Sequence, residues 1–520
     1  MIWTIARKEF LTYVMTLRFV IAVAVCVGLM AASAAVLVSD YERRLEGYSR
    51  SVQNHTKGMD GIKVLSQVKA WADRSPSPLG FLASGKERDT GMSVEVSHIE
   101  APTEADGKGR ANPLLVIFSD VHPVQVVGTL VSLLVLLFAY DAVSGERERG
   151  TLSLTFAGTV SRATFLAGKY VGGMAVLSAV TLAGLLAAVA LAVTSPLVDF
   201  DGEAWARIAL VGVCSLAYVS LFFLLGLAAS CRFRRSSTSL VVLFFVWICV
   251  VIVAPEGSPY LARRLRPVPP AQEIVARQEA LDRAFRGRLS DYARQHGRPR
   301  AFWDWGLIIG RSVRSGDLPY AYRCLYAPRE VMHWYRDGMV YALPQQMTYA
   351  EQKWEVYADY LRQQEAQARL ARRLARVSPA WIYGHVAEIL VGTDAEADRR
   401  FMDQARMYRR ELAQYVEDQG GFSSMAYFTR MTERDLRPFS ELKALLDARG
   451  KGTIQDLARP WTENLQPLRG IPAFQYRPES LRDGLDRAGL DIGLLVGMNA
   501  VLFALACGFF LKQDLRQEIG

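Results

Sequence analysis

The chain has 520 residues, 61 Lys and Arg against 52 Asp and Glu, and a formal net charge of +9. Its mean hydropathy is only +0.11, yet the charges are segregated, and six uncharged stretches each reach the ~20 apolar residues that cross a ~30 Å hydrocarbon core as a helix; a uniformly water-soluble globule is excluded. The positive excess lies in short loops beside those stretches, where membrane proteins keep Lys and Arg on the cytoplasmic side, so it calls for no nucleic-acid partner.

In chain order, residues 1–16 place Trp3, Ala6, Phe10, Tyr13 and Val14 near one helical face, with Arg7 at its edge and Lys8 and Glu9 elsewhere. That pattern predicts a cytoplasmic amphipathic helix in the membrane interface, with Trp3, Arg7, Lys8 and Phe10 as candidate contact residues. Membrane spans are predicted at 17–39, 121–140, 170–198, 208–231, 236–255 and 492–511. Between them lie a first extracytoplasmic insertion (40–120), a cytoplasmic loop (141–169), a short external loop (199–207), a cytoplasmic loop (232–235) and a large extracytoplasmic domain (256–491), with a cytoplasmic tail at 512–520. Arg7, Lys8 and Arg18, then Arg147, Arg149, Arg162 and Lys169, then Arg232, Arg234 and Arg235 mark the inside, whereas Asp199, Asp201 and Glu203 mark the outside. Both termini are therefore expected in the cytoplasm.

The first insertion starts helically and is then punctuated by Pro76, Pro78, Gly80 and Gly85, with short strands expected at Val94, Val96 and Ile99 and at Leu114 to Phe118. The large domain reads as helices at 271–295, 347–377 and 395–418, stopped by Gly297 and Pro299, Pro344, Pro379 and the Gly420–Gly421 pair. Trp303, Trp305, Trp334, Tyr335, Trp354 and Trp381 are expected to form its core or a contact surface. Five of the six cysteines lie within or beside spans, which leaves Cys324 alone outside with no partner for an intradomain disulfide. The fold class is thus predominantly α: a polytopic membrane protein with six transmembrane helices and a large, mostly helical extracytoplasmic domain built from two insertions.

The loop after the second span carries the most specific pattern. It reads Asp141-Ala-Val-Ser-Gly-Glu-Arg-Glu-Arg-Gly-Thr-Leu and then Thr159-Val-Ser-Arg-Ala-Thr-Phe-Leu-Ala-Gly-Lys169. Glu146, Arg147, Glu148 and Arg149 supply a charged rim, Leu152, Leu154 and Phe156 supply apolar anchors, and Gly150 allows the chain to turn back, with Thr151 and Arg162 flanking. Such a short helix suits a groove on a soluble partner. The alternative is an ordinary solvated loop obeying the charge bias. In the order acidic-basic run, Gly-Thr-Leu, Ser-Arg and Gly-Lys, this loop resembles the cytoplasmic loop of ABC-2-type transporter permeases. The topology and the two outer insertions resemble a subgroup of that family with enlarged external domains, and so do Ser378-Pro379-Ala380, Gly392-Thr393-Asp394, Phe401 and Tyr408-Arg409-Arg410. The resemblance implies a bacterial inner membrane, a separate ABC ATPase that holds ATP and Mg, and a second copy of this chain or a related permease.

The chain carries no complete G-x-x-x-x-G-K-[ST], because Gly85-Lys86 and Gly168-Lys169 are followed by Glu87 and Tyr170 in place of Ser or Thr; no cofactor is expected on this chain and it is not expected to be an enzyme. The six uncharged runs hold no Asp, Glu, Lys or Arg, which disfavours ion-coupled transport. The six histidines are scattered without metal-ligand spacing. Small residues in span three (Gly172, Gly173, Ala175, Ala183, Gly184, Ala187, Ala188, Ala190) predict close helix approach. The expected function is the permease subunit of an ATP-driven transporter, an exporter by preference, with the 146–156 helix and the N-terminal helix receiving the ATPase stroke. Two alternatives stand beside it: a mechanical transducer acting on a periplasmic or envelope partner, and a membrane-anchored extracytoplasmic enzyme.

Overall fold

The computed structural model describes residues 2–85, 87, 90–103, 121–156, 160–309, 327–449, 456–457, 460 and 465–511. Among the described residues six helices are long and apolar enough to cross a membrane: Phe19–Asp60, Pro123–Glu148, Arg162–Val193, Gly202–Arg232, Ser236–Leu265 and Leu481–Leu511, numbered as spans one to six. The chain is predominantly helical and polytopic, with one two-stranded sheet among the described residues. The expected strand at Leu114 to Phe118, Cys324 and the 512–520 tail lie outside the described residues.

The helices are longer than the uncharged runs, so their ends carry ionic groups, and several of these turn inward. Lys169 on span three, Arg207 on span four and Asp491 on span six are 3%, 8% and 1% exposed. Each of the three groups stands one residue outside its uncharged run, at 169, 207 and 491, on a helix that is longer than the run. The run ends where the first charge appears, whereas the helix continues and buries that charge beside a partner, which is the only affordable way to bury one.

Spans three and four form the centre of the bundle. Span three packs along the N-terminal helix and span one, and span four packs along span six. Gly184 admits Met30 of span one, and Gly173 lies against the ring of Phe223 on span four. Span two is interrupted by a π-turn at Val127–Val131, where Ser132 Oγ and Tyr218 Oη both donate to the Gly128 carbonyl at 2.8 and 2.6 Å. Span five holds a second π-turn, Ile248–Val253, ahead of Pro255. The Ala254 N–H goes to the Cys249 carbonyl, and Pro255 has no N–H to give to Val250. The hydroxyl of Ser378 donates to the Val250 carbonyl instead, so a residue of the polar region between spans five and six, called the outer domain because most of it lies outside the bundle, completes the backbone of a span.

Ser378 also caps a short apolar helix, Pro379–Val391, and Gly392 ends it with φ 78°, a left-handed conformation that favours glycine. At 13 residues it is too short to span, yet Ile382, Tyr383, Val386, Ala387, Ile389, Leu390 and Val391 are buried in the core shared with the spans. Tyr383 stacks on Tyr218 with ring centroids 4.6 Å apart and shares a 2.7 Å hydrogen bond with Ser215. This wedge helix is part of the bundle, although its sequence reads as part of a separate outer domain. Around its end, Arg207 donates to the carbonyls of Leu390 and Glu479 at 2.7 Å each. Arg487 pairs with Asp394 at 2.9 Å and Glu479 at 2.6 Å.

A second core lies in the outer domain. Strands β1 (Lys69–Asp73) and β2 (Ser93–Ser97) pair antiparallel with Ala70 opposite Val96 and Ala72 opposite Val94, and these four residues are buried. They pack with the helices Arg329–Ala375 and Ala395–Asp418 through residues such as Val331, Met339, Phe401 and Leu412. The helix Ala271–Gln295 has the expected bounds, whereas the helix expected to begin after Pro344 runs through it from Arg329. Proline there forfeits one backbone bond and kinks or breaks a helix in isolation. Buried Met339, Ala342 and Leu343 on one side and Tyr349 and Ala350 on the other hold the helix through it. Of the expected aromatic core, Trp334 and Tyr335 pack against this second core, Trp381 packs against the bundle, and Trp354 lies under Arg406 at 4.2 Å. Trp303 is 50% exposed, and the Trp305 side chain lies outside the described residues.

Candidate functional site

At the end of the bundle opposite the outer domain, three pieces of chain converge: the N-terminal helix (Ile2–Val14), the loop helices Ser144–Glu148 and Thr151–Phe156, and the start of span three. Gly168 and Gly172, one turn apart on span three, make the convergence possible. A Cβ on Gly168 would lie 2.8 Å from Ile5 Cβ, and one on Gly172 would lie 2.6 Å from the Ala6 carbonyl oxygen. The N-terminal helix therefore lies directly on the backbone of span three.

Lys169, between those glycines, is the centre of the site. Its ammonium is 3.0 Å from Glu9 Oε1 and 3.0 Å from Glu146 Oε1, with the three side chains 3%, 9% and 9% exposed. Lys8, largely exposed, approaches Glu146 Oε1 at 3.5 Å. One buried cation thus ties the N-terminal helix, the loop and span three. Two carboxylates around one buried ammonium leave a formal charge of −1, and Lys8 at the rim offsets it. Among the described residues, the buried Glu146 Oε2 has no hydrogen-bond partner.

The loop is built from its neighbours. Ser230 Oγ of span four accepts from the N–H groups of Val143 and Ser144 at 2.9 and 3.0 Å, capping the first loop helix. Glu148 accepts from the N–H and hydroxyl of Ser236, both at 2.8 Å, and so caps span five. Arg147 donates to the Phe233 carbonyl at 3.3 Å and Arg149 donates from Nε to the Gly145 carbonyl at 3.0 Å. Gly150 has φ 69°, which makes the turn between the loop helices, and Thr151 Oγ1 donates back to the Glu146 carbonyl at 3.1 Å. Leu152 is 1% exposed and packs with Val143, Phe165 and Leu227. Phe156 meets Phe165 and Phe510 at 5.2 and 5.9 Å, and Arg162 donates to the Leu511 carbonyl at 2.7 Å. The Leu154 side chain lies outside the described residues.

The sequence-based candidates are therefore divided. Glu146, Leu152 and Phe156 turn inward rather than forming a rim and anchors for a partner, because the bundle end supplies both the cation and the aromatic pocket they need. Glu148, Arg149, Gly150 and Thr151 stay exposed. On the N-terminal helix, Trp3 is 77% exposed, Phe10 is 38% exposed, and Arg7 and Lys8 face outward, while Ala6 and Glu9 are buried. The packed face is thus Ile5, Ala6, Glu9 and Tyr13, not the one that includes Trp3 and Phe10. Glu9 and Lys169 are missing from the candidate contacts. Their signal is a Lys at the mouth of an uncharged run together with a lone acid on the small-residue face of the preceding helix.

Among the described residues no group of His, Cys, Asp and Glu has the geometry to hold a metal ion. The model of a family described as ABC-2 family transporter protein matches residues 3–286, which is more than half of the chain and includes the N-terminal helix, the loop and spans one to five. A second model, described as a domain of unknown function (DUF3526), matches residues 339–438, which take in the wedge helix and part of the outer domain. No curated protein matches the sequence. With six apolar spans and this family match, the chain belongs to the ABC-2 transporter family as a membrane permease subunit, a family whose members work with an ABC ATPase.

Proposed function

We propose that this chain is the permease of an ATP-driven exporter, with both termini in the cytoplasm of a bacterium and the outer domain on the far side of the inner membrane. A separate ATPase dimer hydrolyses ATP with Mg and presses on the exposed face formed by Trp3, Arg7, Lys8 and Phe10 together with Glu148, Arg149 and Thr151. Two permease copies, or one copy and a related chain, share the stroke. The single observation that carries this reading is the Lys169 ammonium between Glu9 and Glu146, because a push on either the loop or the N-terminal helix then reaches span three through a buried ionic joint.

The test is a reconstituted complex with the cognate ATPase and a Glu146→Gln substitution. The amide keeps the shape and a hydrogen-bond acceptor for Lys169 but loses the charge. Assembly should be retained while permease-stimulated ATP hydrolysis falls several-fold; full stimulation would remove the joint from the mechanism.

A second output for the same machine has its own support. Arg207, Arg487 and the Ser378 hydroxyl key the outer domain to spans four, five and six. Helix movement then reaches the domain, which would act on a periplasmic or envelope partner without moving a solute. ATPase activity that rises with an added envelope extract and not with candidate solutes would select this output.

A further inference from the structure

Span six is the least covered of the six, with 17% of its apolar window buried. Gly489, Gly493 and Gly497 follow one another at single-turn spacing on it, and a Cβ added at any of them meets nothing within 4 Å. Beside the last two lies a groove of about 480 Å³. Its walls include Phe222 and Leu225 of span four, Val246 and Val250 of span five, and Val377 and Pro379 at the corner where the outer domain meets the wedge helix. None of its lining side chains is polar. It follows span six from Gly493 to Leu502, about 14 Å at ~1.5 Å per residue.

Beyond this groove, the two elements that bring Val250 and Val377 to it carry exposed arginines. Arg373 is exposed one helical turn before Val377, which is itself 70% exposed. Span five continues past the groove to Leu265 and packs on the long helix Arg329–Ala375, with Gln367 donating to the Arg266 carbonyl at 2.6 Å. Arg263, Arg264 and Arg266 are all exposed there, next to Tyr260 and Leu265 at 70% and 61% exposure. Arg376 is taken by Asp491 at 2.6 Å. The exposed acids on spans five and six beyond the groove are Glu256, Asp483 and Asp486, fewer than the exposed Arg263, Arg264, Arg266 and Arg373.

We propose that this groove holds a phospholipid of the leaflet on the outer-domain side, one acyl chain lying along Gly493 to Leu502 and the phosphate meeting the Arg263, Arg264 and Arg373 side chains. An apolar slot opening sideways at membrane depth suits a hydrocarbon chain. Guanidinium groups at a helix end suit a phosphate at the headgroup level. A second copy of this chain is the rival occupant, but a two-fold seam along this face would set one arginine rim against another. The site goes beyond transport and stands whether or not the chain moves a solute.

The test uses the intact chain in nanodiscs of phosphatidylethanolamine and phosphatidylglycerol with a trace of phosphatidylglycerol carrying a mid-chain diazirine. After irradiation, label should concentrate on residues 246–250 and 493–502. Gly497→Leu, which fills the slot, should lower that labelling about tenfold, equivalent to ~1.4 kcal/mol. The combined Arg263→Gln, Arg264→Gln and Arg373→Gln variant, altered only at exposed positions, should lower labelling by the phospholipid probe while leaving a diacylglycerol probe of equal chain length unaffected. Label spread evenly over all six spans, or unchanged by Gly497→Leu, would overturn the site. Equal response of the two probes to the arginine variant would overturn the phosphate assignment. A disulfide between two copies carrying Gly497→Cys would give the groove to the second copy instead.

Discussion

Spans three and six are both rich in glycine, and they use it in opposite ways. On span three, Gly168, Gly172, Gly173 and Gly184 each touch another helix so closely that a Cβ would collide. On span six, Gly489, Gly493, Gly497 and Gly508 face open space. Small residues permit close approach without saying whether the approaching surface belongs to the same chain, another chain or lipid. The neighbours decide: span three receives the N-terminal helix and span one, whereas span six packs on span four and the wedge helix and leaves its remaining surface bare.

Four experiments press on this contrast, from the largest expected effect to the smallest. Lys169→Met removes the cation from between two buried carboxylates and should cost about 3–5 kcal/mol. Combining it with Glu9→Gln and Glu146→Gln should recover most of the loss, read as melting temperature of the purified chain in nanodiscs. A recovery no better than the sum of the separate changes would mean that the three groups act independently. Gly173→Val drives a methyl into the fully buried Phe223 ring and should cost about 1–3 kcal/mol. If it melts like the parent chain, the packing of span three is looser than described.

His98 gives a reference from outside the bilayer. Burial is the main cause that lowers its pKa, and the ring is held neutral between the Val68 carbonyl and the Tyr427 hydroxyl at 2.9 and 3.1 Å. The unfolded chain then binds a proton that the folded domain refuses, so stability is full above pH ~6.5 and falls as pH drops through it, by at most ~1.4 kcal/mol per unit until the folded value is reached. His98→Gln should flatten that slope in a melting series from pH 7 to pH 5. If span-three contacts melt in step with the domain under acid, bundle and domain unfold as one body. The smallest effect belongs to Gly497→Val, which should change stability by less than about 1 kcal/mol, because no protein atom of the described residues lies within 4 Å of the added Cβ.

Reading the sequence succeeded where a pattern answers to a uniform solvent. The six spans and the helices Ala271–Gln295 and Ala395–Asp418 follow from runs and periodicities that lipid and water impose directly. It failed where a choice between neighbours decides. Pro344 reads as a stop, but packing on both sides carries the helix through it. Strand β1 (KAWAD) is too short to declare itself until β2 pairs with it. At the candidate site, Leu152 and Phe156 have the character of anchors whether the pocket belongs to a partner or, as here, to Phe165 and Phe510. Glu146 reads as surface charge because Lys169 lies 23 residues further along the chain.

The wedge helix has a practical corollary for anyone trimming this protein. Cutting out residues 256–488 would strip the partners from Ile382, Tyr383, Val386 and Leu390 and leave a greasy stump on the excised piece. The remaining bundle would carry a hole beside Tyr218 and a Val250 carbonyl robbed of its Ser378 donor. The outer domain is no graft added to a finished bundle; scaffold and superstructure must be expressed and engineered together.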